Sequence, residues 1–264
     1  MPRHTITLTT DFGLTDHYVG VMKGVIQGIA PGAAVVDITH AVSPYEIPEA
    51  AFLLAQAYPY FPPGTVHVVV VDPGVGTSRR PILAEGARQY FIAPDNGVLS
   101  MVYAREEKVK VRAITAERYF RRPVSQTFHG RDIFAPAAAH LAAGTPPARF
   151  GKLIRDYLRR DDFAQPLRTG KSMWSGAVLH IDHFGNVVTN IRPEHIPALA
   201  SRPFEVRLGP HRVDFVARSY AEGPAGVPFL IVGSSGYFEI SVYQAPAAKA
   251  LGCAVGAPVD LALL

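Results

Sequence analysis

The chain predicts two domains of different class: an α/β N-terminal domain with a mostly parallel central sheet flanked by helices, and an antiparallel, all-β, barrel-like C-terminal domain. The division falls at residues 1–170 and 171–264. Three observations carry this. Short β-branched runs alternate with helix-like stretches in the first half, the pattern of a sheet covered on both faces. An alanine-rich stretch ends at Gly144, where the first domain's core closes. Beyond Trp174 almost every segment reads as a strand bounded by Gly, Pro or Asn.

Residues 5–10 (Thr-Ile-Thr-Leu-Thr-Thr), 34–38 (Ala-Val-Val-Asp-Ile) and 66–71 (Val-His-Val-Val-Val-Val) are the predicted strands of the first domain. Helices are predicted from His17 to Ile29, from Ile47 to Ala57, and from about Asp132 to Ala143, the last stopped by Gly144. From Thr145 to Lys171 the chain is rich in Pro, Arg and Asp and reads as a connector with one short helix, Leu153 to Arg159. Predicted barrel strands are 178–181, 187–191, 204–208, 213–217, 229–232, 237–242 and 259–263.

With 48% hydrophobic and 18% charged residues, the 264-residue chain is globular rather than disordered or fibrous. Its net charge of +4 comes from scattered arginine pairs, which is no footprint for nucleic acid. Cys253 is the sole cysteine, so a disulfide framework and a CxxC metal site are excluded. No basic-then-apolar leader or membrane-length apolar run appears, and a cytoplasmic protein is expected.

Several polar groups fall where strands end. Asp11, in Thr10-Asp11-Phe12-Gly13, follows the first strand at the edge where open α/β sheets bind ligands, and a helix N-cap is its ordinary alternative. The Asp-Phe-Gly of kinases is excluded, because no glycine-rich loop or strand lysine precedes it. Asp72 follows four valines at the carboxyl end of a central strand and requires a cationic partner there, Arg79 or Arg80. The loop 72–80 lacks the endings of a phosphate loop or dinucleotide fingerprint. His129, beside Gly130, is either a proton-transfer group or a hydrogen-bonded turn residue. Scattered Asp and His residues show no strong metal-ligand spacing, so no metal is assigned. Residues 180–190 and 233–237 read as hairpin corners.

Taken in order, Thr-Thr-Asp-Phe-Gly, Asp-Ile-Thr-His, Val-Val-Asp-Pro-Gly-Val-Gly-Thr, Pro-Asp-Asn-Gly, Thr-Phe-His-Gly-Arg-Asp and Ile-Asp-His-Phe-Gly-Asn-Val-Val-Thr-Asn resemble the S-adenosylmethionine hydroxide adenosyltransferase family, relatives of the fluorinase and chlorinase. The resemblance implies hydrolysis of S-adenosyl-L-methionine to adenosine and L-methionine without cofactor or metal, by in-line attack of water on the ribose C5′. It also implies a homotrimer with active sites between subunits. It places water activation on Asp72, Arg79 and His129. Asp11 falls on the ribose hydroxyls and Tyr45 against the adenosine. Asp182, Phe184 and Asn186 come from the barrel, while Ser234, Ser235, Glu239 and Val242 close around the methionine end and the base. Halogenases carry an uncharged residue where Asp72 stands, and an anion there repels halide. A halogenase and a non-catalytic adenosine-binding module are the competing functions.

Overall fold

A computed structural model describes residues 5–160 and 165–264. Residues 161–164 of the predicted connector lie outside the described residues. Contacts divide the chain into two compact units, Met1–Arg159 and Arg160–Leu264.

The first unit is built on seven strands: β1 (Thr5–Thr10), β2 (Ala34–Thr39), β3 (Val66–Val70), β4 (Pro81–Gly86), β5 (Gln89–Pro94), β6 (Lys110–Ala113) and β7 (Leu153–Ile154). Their order is β2-β1-β3-β5-β4-β6-β7. β2, β1, β3 and β5 pair in parallel, whereas β4, β6 and β7 continue antiparallel from β5. The helices are α1 (Tyr18–Ile29), α2 (Ile47–Ala57), α3 (Ser100–Arg105) and α4 (Ala135–Ala142).

Alternation along β3 explains why the sheet is covered twice. Val66, Val68 and Val70 pack with Met22 and Ile26 of α1 and Ala138 of α4, while Val69 and Val71 pack on the opposite face with Leu54 of α2 and Val102 of α3. His67, the one polar residue in that run, is fully buried. Its ring bonds Thr7 Oγ1 at 2.7 Å and Gln89 Oε1 at 3.2 Å. Burial pushes its pKa down to about 4, so it is a neutral core histidine.

Two expectations change here. The alanine-rich helix opens with a π turn, Gly130–Phe134, before α4 begins one residue ahead of Pro136. The short helix predicted at Leu153 to Arg159 does not form. Leu153 and Ile154 instead pair with β6 as β7, and Asp156 and Leu158 are drawn into side-chain hydrogen bonds described below.

The second unit holds β8 (Leu167–Gly170), β9 (Met173–Ile181), β10 (Val187–Thr189), β11 (Phe204–Leu208), β12 (His211–Val213), β13 (Phe229–Val232), β14 (Phe238–Ser241), α5 (Ala247–Leu251) and β15 (Pro258–Leu263). Every strand pair is antiparallel, in the order β12-β11-β15-β9-β10-β14-β13, with β8 against β9. The predicted strand 213–217 starts earlier, at His211, and stops at Val213. The chain then crosses to β13, where Val216 bridges Leu230 and the Leu230 amide donates to the Phe215 carbonyl at 2.8 Å. That crossing joins the two ends of the sheet and makes it barrel-like. Trp174, Val187, Phe204, Leu230, Ile240 and Val259 fill its interior.

Candidate active site

Because β1, β2 and β3 run parallel, the residues after them gather at one edge, the carboxyl edge where such sheets bind ligands. Asp11 follows β1, Tyr45 lies beyond β2, and Asp72 follows β3. With Phe12, Tyr18, Phe128 and His129 they line a hollow of about 320 Å³.

Asp72 is gripped by Arg79 from the far end of its own loop. The Arg79 Nε donates to Asp72 Oδ1 at 3.0 Å, and Nη2 donates to Oδ2. That same Nη2 donates to His129 Nδ1 at 2.6 Å. Both side chains of the ion pair are nearly buried, at 9% and 5% exposure. Arg80, the other candidate, faces away and pairs with Asp95 and Asp156.

A guanidinium has no acceptor, so Nδ1 of His129 accepts from Arg79 and the ring's proton resides on Nε2. Burial and the adjacent Arg79 charge lower the His129 pKa, which keeps the ring neutral. Asp11 is shifted upward, chiefly by burial, although its Oδ2 accepts the Tyr45 amide at 3.0 Å. Tyr45 holds a left-handed backbone (φ 70), and the residue is 70% exposed. Three aromatics form the opposing wall: Phe12 lies 5.9 Å and Tyr18 5.2 Å from Phe128, both edge-on. The sequence alone assigns them no place in the site, although Phe12 and Phe128 stand inside the quoted motifs.

A second hollow, of about 690 Å³, lies within the second unit. It is lined by Asp182, Phe184, Asn186, Ser234, Glu239 and Val242 among the predicted residues, and by Tyr220, which was not predicted. Asp182 Oδ1 accepts the amides of Phe184 and Asn186 at 2.9 and 2.8 Å, and Oδ2 accepts Asn186 Nδ2 at 2.8 Å. This carboxylate therefore shapes the hairpin that carries it, leaving Phe184 76% exposed. Glu239 is 6% exposed and accepts from the Tyr220 hydroxyl at 3.0 Å. Its pKa is raised by burial, with Asp182 adding to the shift. The Tyr220 phenol is pushed up to about 12, by burial and then by Glu239. Ser235 does not line this hollow, and its hydroxyl is buried without a partner among the described residues.

Among the described residues, no three His, Cys, Asp or Glu side chains are grouped to hold a metal ion, and no helix is long and apolar enough to cross a membrane.

Comparison with known proteins covers both units. The N-terminal domain profile of the SAM hydroxide adenosyltransferases matches residues 6–151, and their C-terminal domain profile matches residues 176–260. The (R)-S-adenosyl-L-methionine hydrolase of Thermus thermophilus is 40% identical over 96% of this chain and 97% of its own. A more distant relative, the fluorinase of an Actinoplanes species, is 28% identical over 97% of this chain and 96% of its own. The crystal structure of an uncharacterized conserved protein from Thermotoga maritima superposes with a TM-score of 0.87 at 38% identity, covering 97% of this chain and 99% of that one. With both domain profiles matched in order and identity sustained along nearly the whole length, the chain belongs to the SAM hydroxide adenosyltransferase family.

Proposed function

We propose that the protein hydrolyses S-adenosylmethionine to adenosine and L-methionine. The observation that carries this is the Asp72–Arg79–His129 cluster at the carboxyl edge of the sheet, in a chain 40% identical to a hydrolase of that substrate. Water attacks the ribose C5′ as the C5′–S bond breaks. The bonding pair passes to sulfur, which leaves as the neutral thioether of methionine, and the water's proton is released to a base. Sulfonium and developing hydroxide have opposite charge, so a water-poor site strengthens their attraction.

The hydrogen-bond directions divide the labour. His129 has its Nδ1 lone pair engaged by Arg79 and presents Nε2–H, so it orients the water as a donor. Asp72 accepts from Arg79 through both oxygens and retains further lone pairs, so it is the proton acceptor. The transfer comes late in the displacement, when the attacking oxygen has become acidic. Its negative charge disfavours halide at the same place, which separates this reading from a halogenase.

Asp11 receives the ribose hydroxyls and Tyr45 covers the adenosine. In the second unit, Asp182 and Glu239 supply negative charge for the methionine ammonium, Asn186 and Phe184 take the base, and Ser234 and Val242 close the methionine end with Ser235 behind them. The enzyme acts in the cytoplasm as a homotrimer whose sites combine both hollows from different protomers. The name of the Thermus relative specifies the R epimer at sulfur, and we extend that preference to this chain. The test is incubation with each epimer in chelator-treated, halide-free buffer. Equal release of adenosine and methionine, lost in Asp72→Ala, establishes the reading, whereas binding without release removes it.

A further inference from the structure

Two of the six ordered motifs line neither hollow, and one of these is Pro94-Asp95-Asn96-Gly97. It begins on the last residue of β5, next to β3, and it grips the loop that carries Asp72 and Arg79 at both ends. Asn96 Nδ2 donates to the Val71 carbonyl at 2.8 Å, immediately before Asp72. Asn96 is itself set by the Val98 amide, which donates to its Oδ1 at 3.2 Å. At the other end, immediately after Arg79, the Asp95 amide donates to the Arg80 carbonyl at 2.8 Å. Arg80 returns the contact through Nε and Nη2 to Asp95 Oδ2, at 3.1 and 2.7 Å.

The loop needs such anchorage. Internally it is closed by the Asp72–Arg79 pair, by the Val75 amide to the Asp72 carbonyl, by Thr77 to the Gly74 carbonyl and by the Arg79 amide to Thr77 Oγ1, so its placement against the sheet rests on its two flanks. Two glycines, Gly74 and Gly76, add backbone freedom. The Asp95 side chain is 5% exposed, so its pairing with Arg80 is shielded from solvent on one side. Arg80 also donates to Asp156, and the Leu158 amide donates to Asp95 Oδ1 at 2.8 Å, which braces the anchor against the chain leaving the unit.

We propose that Asp95 and Asn96 are positioning residues for the hydrolysis. By pinning the two flanks of residues 72–79 they set the placement of the Asp72 carboxylate against the Arg79 guanidinium and His129. The inference rests on the proposed reaction at that cluster. Displacement of a reacting group by an ångström is enough to cost orders of magnitude in rate.

The experiment compares Asn96→Ala, Asp95→Asn and Arg80→Gln with the wild type by kcat, KM, thermal midpoint and hydrogen exchange of the 72–79 amides. Asn96→Ala is expected to lower kcat by roughly ten- to a hundredfold with KM changed by less than about twofold, because the ribose and methionine contacts lie elsewhere. Exchange in 72–79 accelerates while exchange in the barrel does not change. Asp95→Asn, which still offers Arg80 an oxygen, retains more turnover than Arg80→Gln. Unchanged exchange overturns the proposal, as does faster exchange with wild-type kcat, or a kcat loss that disappears on cooling below a lowered melting point. If Asn96→Ala does not fold, the other two variants carry the same comparison. If the wild type releases no adenosine, the hydrolase reading fails on its own, and the exchange data still decide for or against the pinned loop.

Discussion

The direction of a single hydrogen bond decides how His129 behaves. Arg79 can only donate, so protonating His129 at Nδ1 requires breaking that bond and placing a second cation beside the guanidinium. Its pKa is depressed in the fold by burial and by Arg79. A histidine depressed on folding costs nothing above its unfolded value, near 6.5, and removes stability as the pH falls from there toward the folded value. The acid limb of kcat/KM is therefore expected below the ordinary imidazole range, and a limb centred at or above it contradicts the neutral Nε2–H tautomer. His129→Asn, which keeps a donor without this titration, is expected to lose that limb along with part of the rate. Asp72→Asn keeps the shape but removes both the base and the charge that excludes halide. Its kcat is expected to fall at least about a hundredfold, measured by adenosine release at saturating substrate, with substrate binding by calorimetry little changed.

At the scale of elements, the loop from β3 to β4 shows why residue order alone does not suffice. Gly76 adopts φ +77, and a Cβ there would lie 2.4 Å from the Gln126 carbonyl oxygen. Gly76→Ala thus carries left-handed strain of about 1–2 kcal/mol and forces the loop away from the segment leading to His129. Reduced turnover and a melting point lower by about 2–4 °C per kcal/mol are expected, read by scanning calorimetry and product assay. The parallel strands are legible because their β-branched runs end in turn residues, Asp11 and Asp72 because they fall where those strands end, and His129 because it stands beside the glycine that opens the alanine-rich helix. The β4–β5 hairpin is not legible in the same way. Its turn is made by Ala87 and Arg88, both at positive φ, rather than by the Asn-Gly or Asp-Gly that announces such a turn. The connector helix fails because Arg80 and Asp95 claim the groups at 156 and 158 for tertiary contacts, which override local propensity. Tyr220 escapes the sequence for a similar reason. It sits in a short 3-10 turn within the long excursion between β12 and β13, where no strand alternation marks which side chains face inward.

Across the whole molecule, the chemistry is divided between two compact units. The Asp72–Arg79–His129 cluster, the proposed site of water activation, belongs to the first, and Asp182, Glu239 and Asn186, proposed for the methionine end and the base, belong to the second. Under the proposed reaction the substrate contacts are shared between the two hollows. If the homotrimer combines them from different protomers, two defects in different units must complement. Asp72→Ala removes the first unit's contribution and leaves the barrel intact. Asn186→Ala removes the proposed contact to the base and leaves Asp72, Arg79 and His129 intact. Each homogeneous variant is then inactive or nearly so, but a mixed trimer assembled by co-expression contains some sites in which an unmodified first unit meets an unmodified barrel. Random assembly is expected to restore about a quarter of wild-type turnover, since each of the two contributing surfaces is unmodified about half the time and independent sites multiply. Light scattering at three times the 28.6 kDa chain mass checks the assembly itself. A site confined to one chain gives no restoration at all, because every chain then carries one defect, so the co-expressed mixture separates shared from self-contained sites in a single assay.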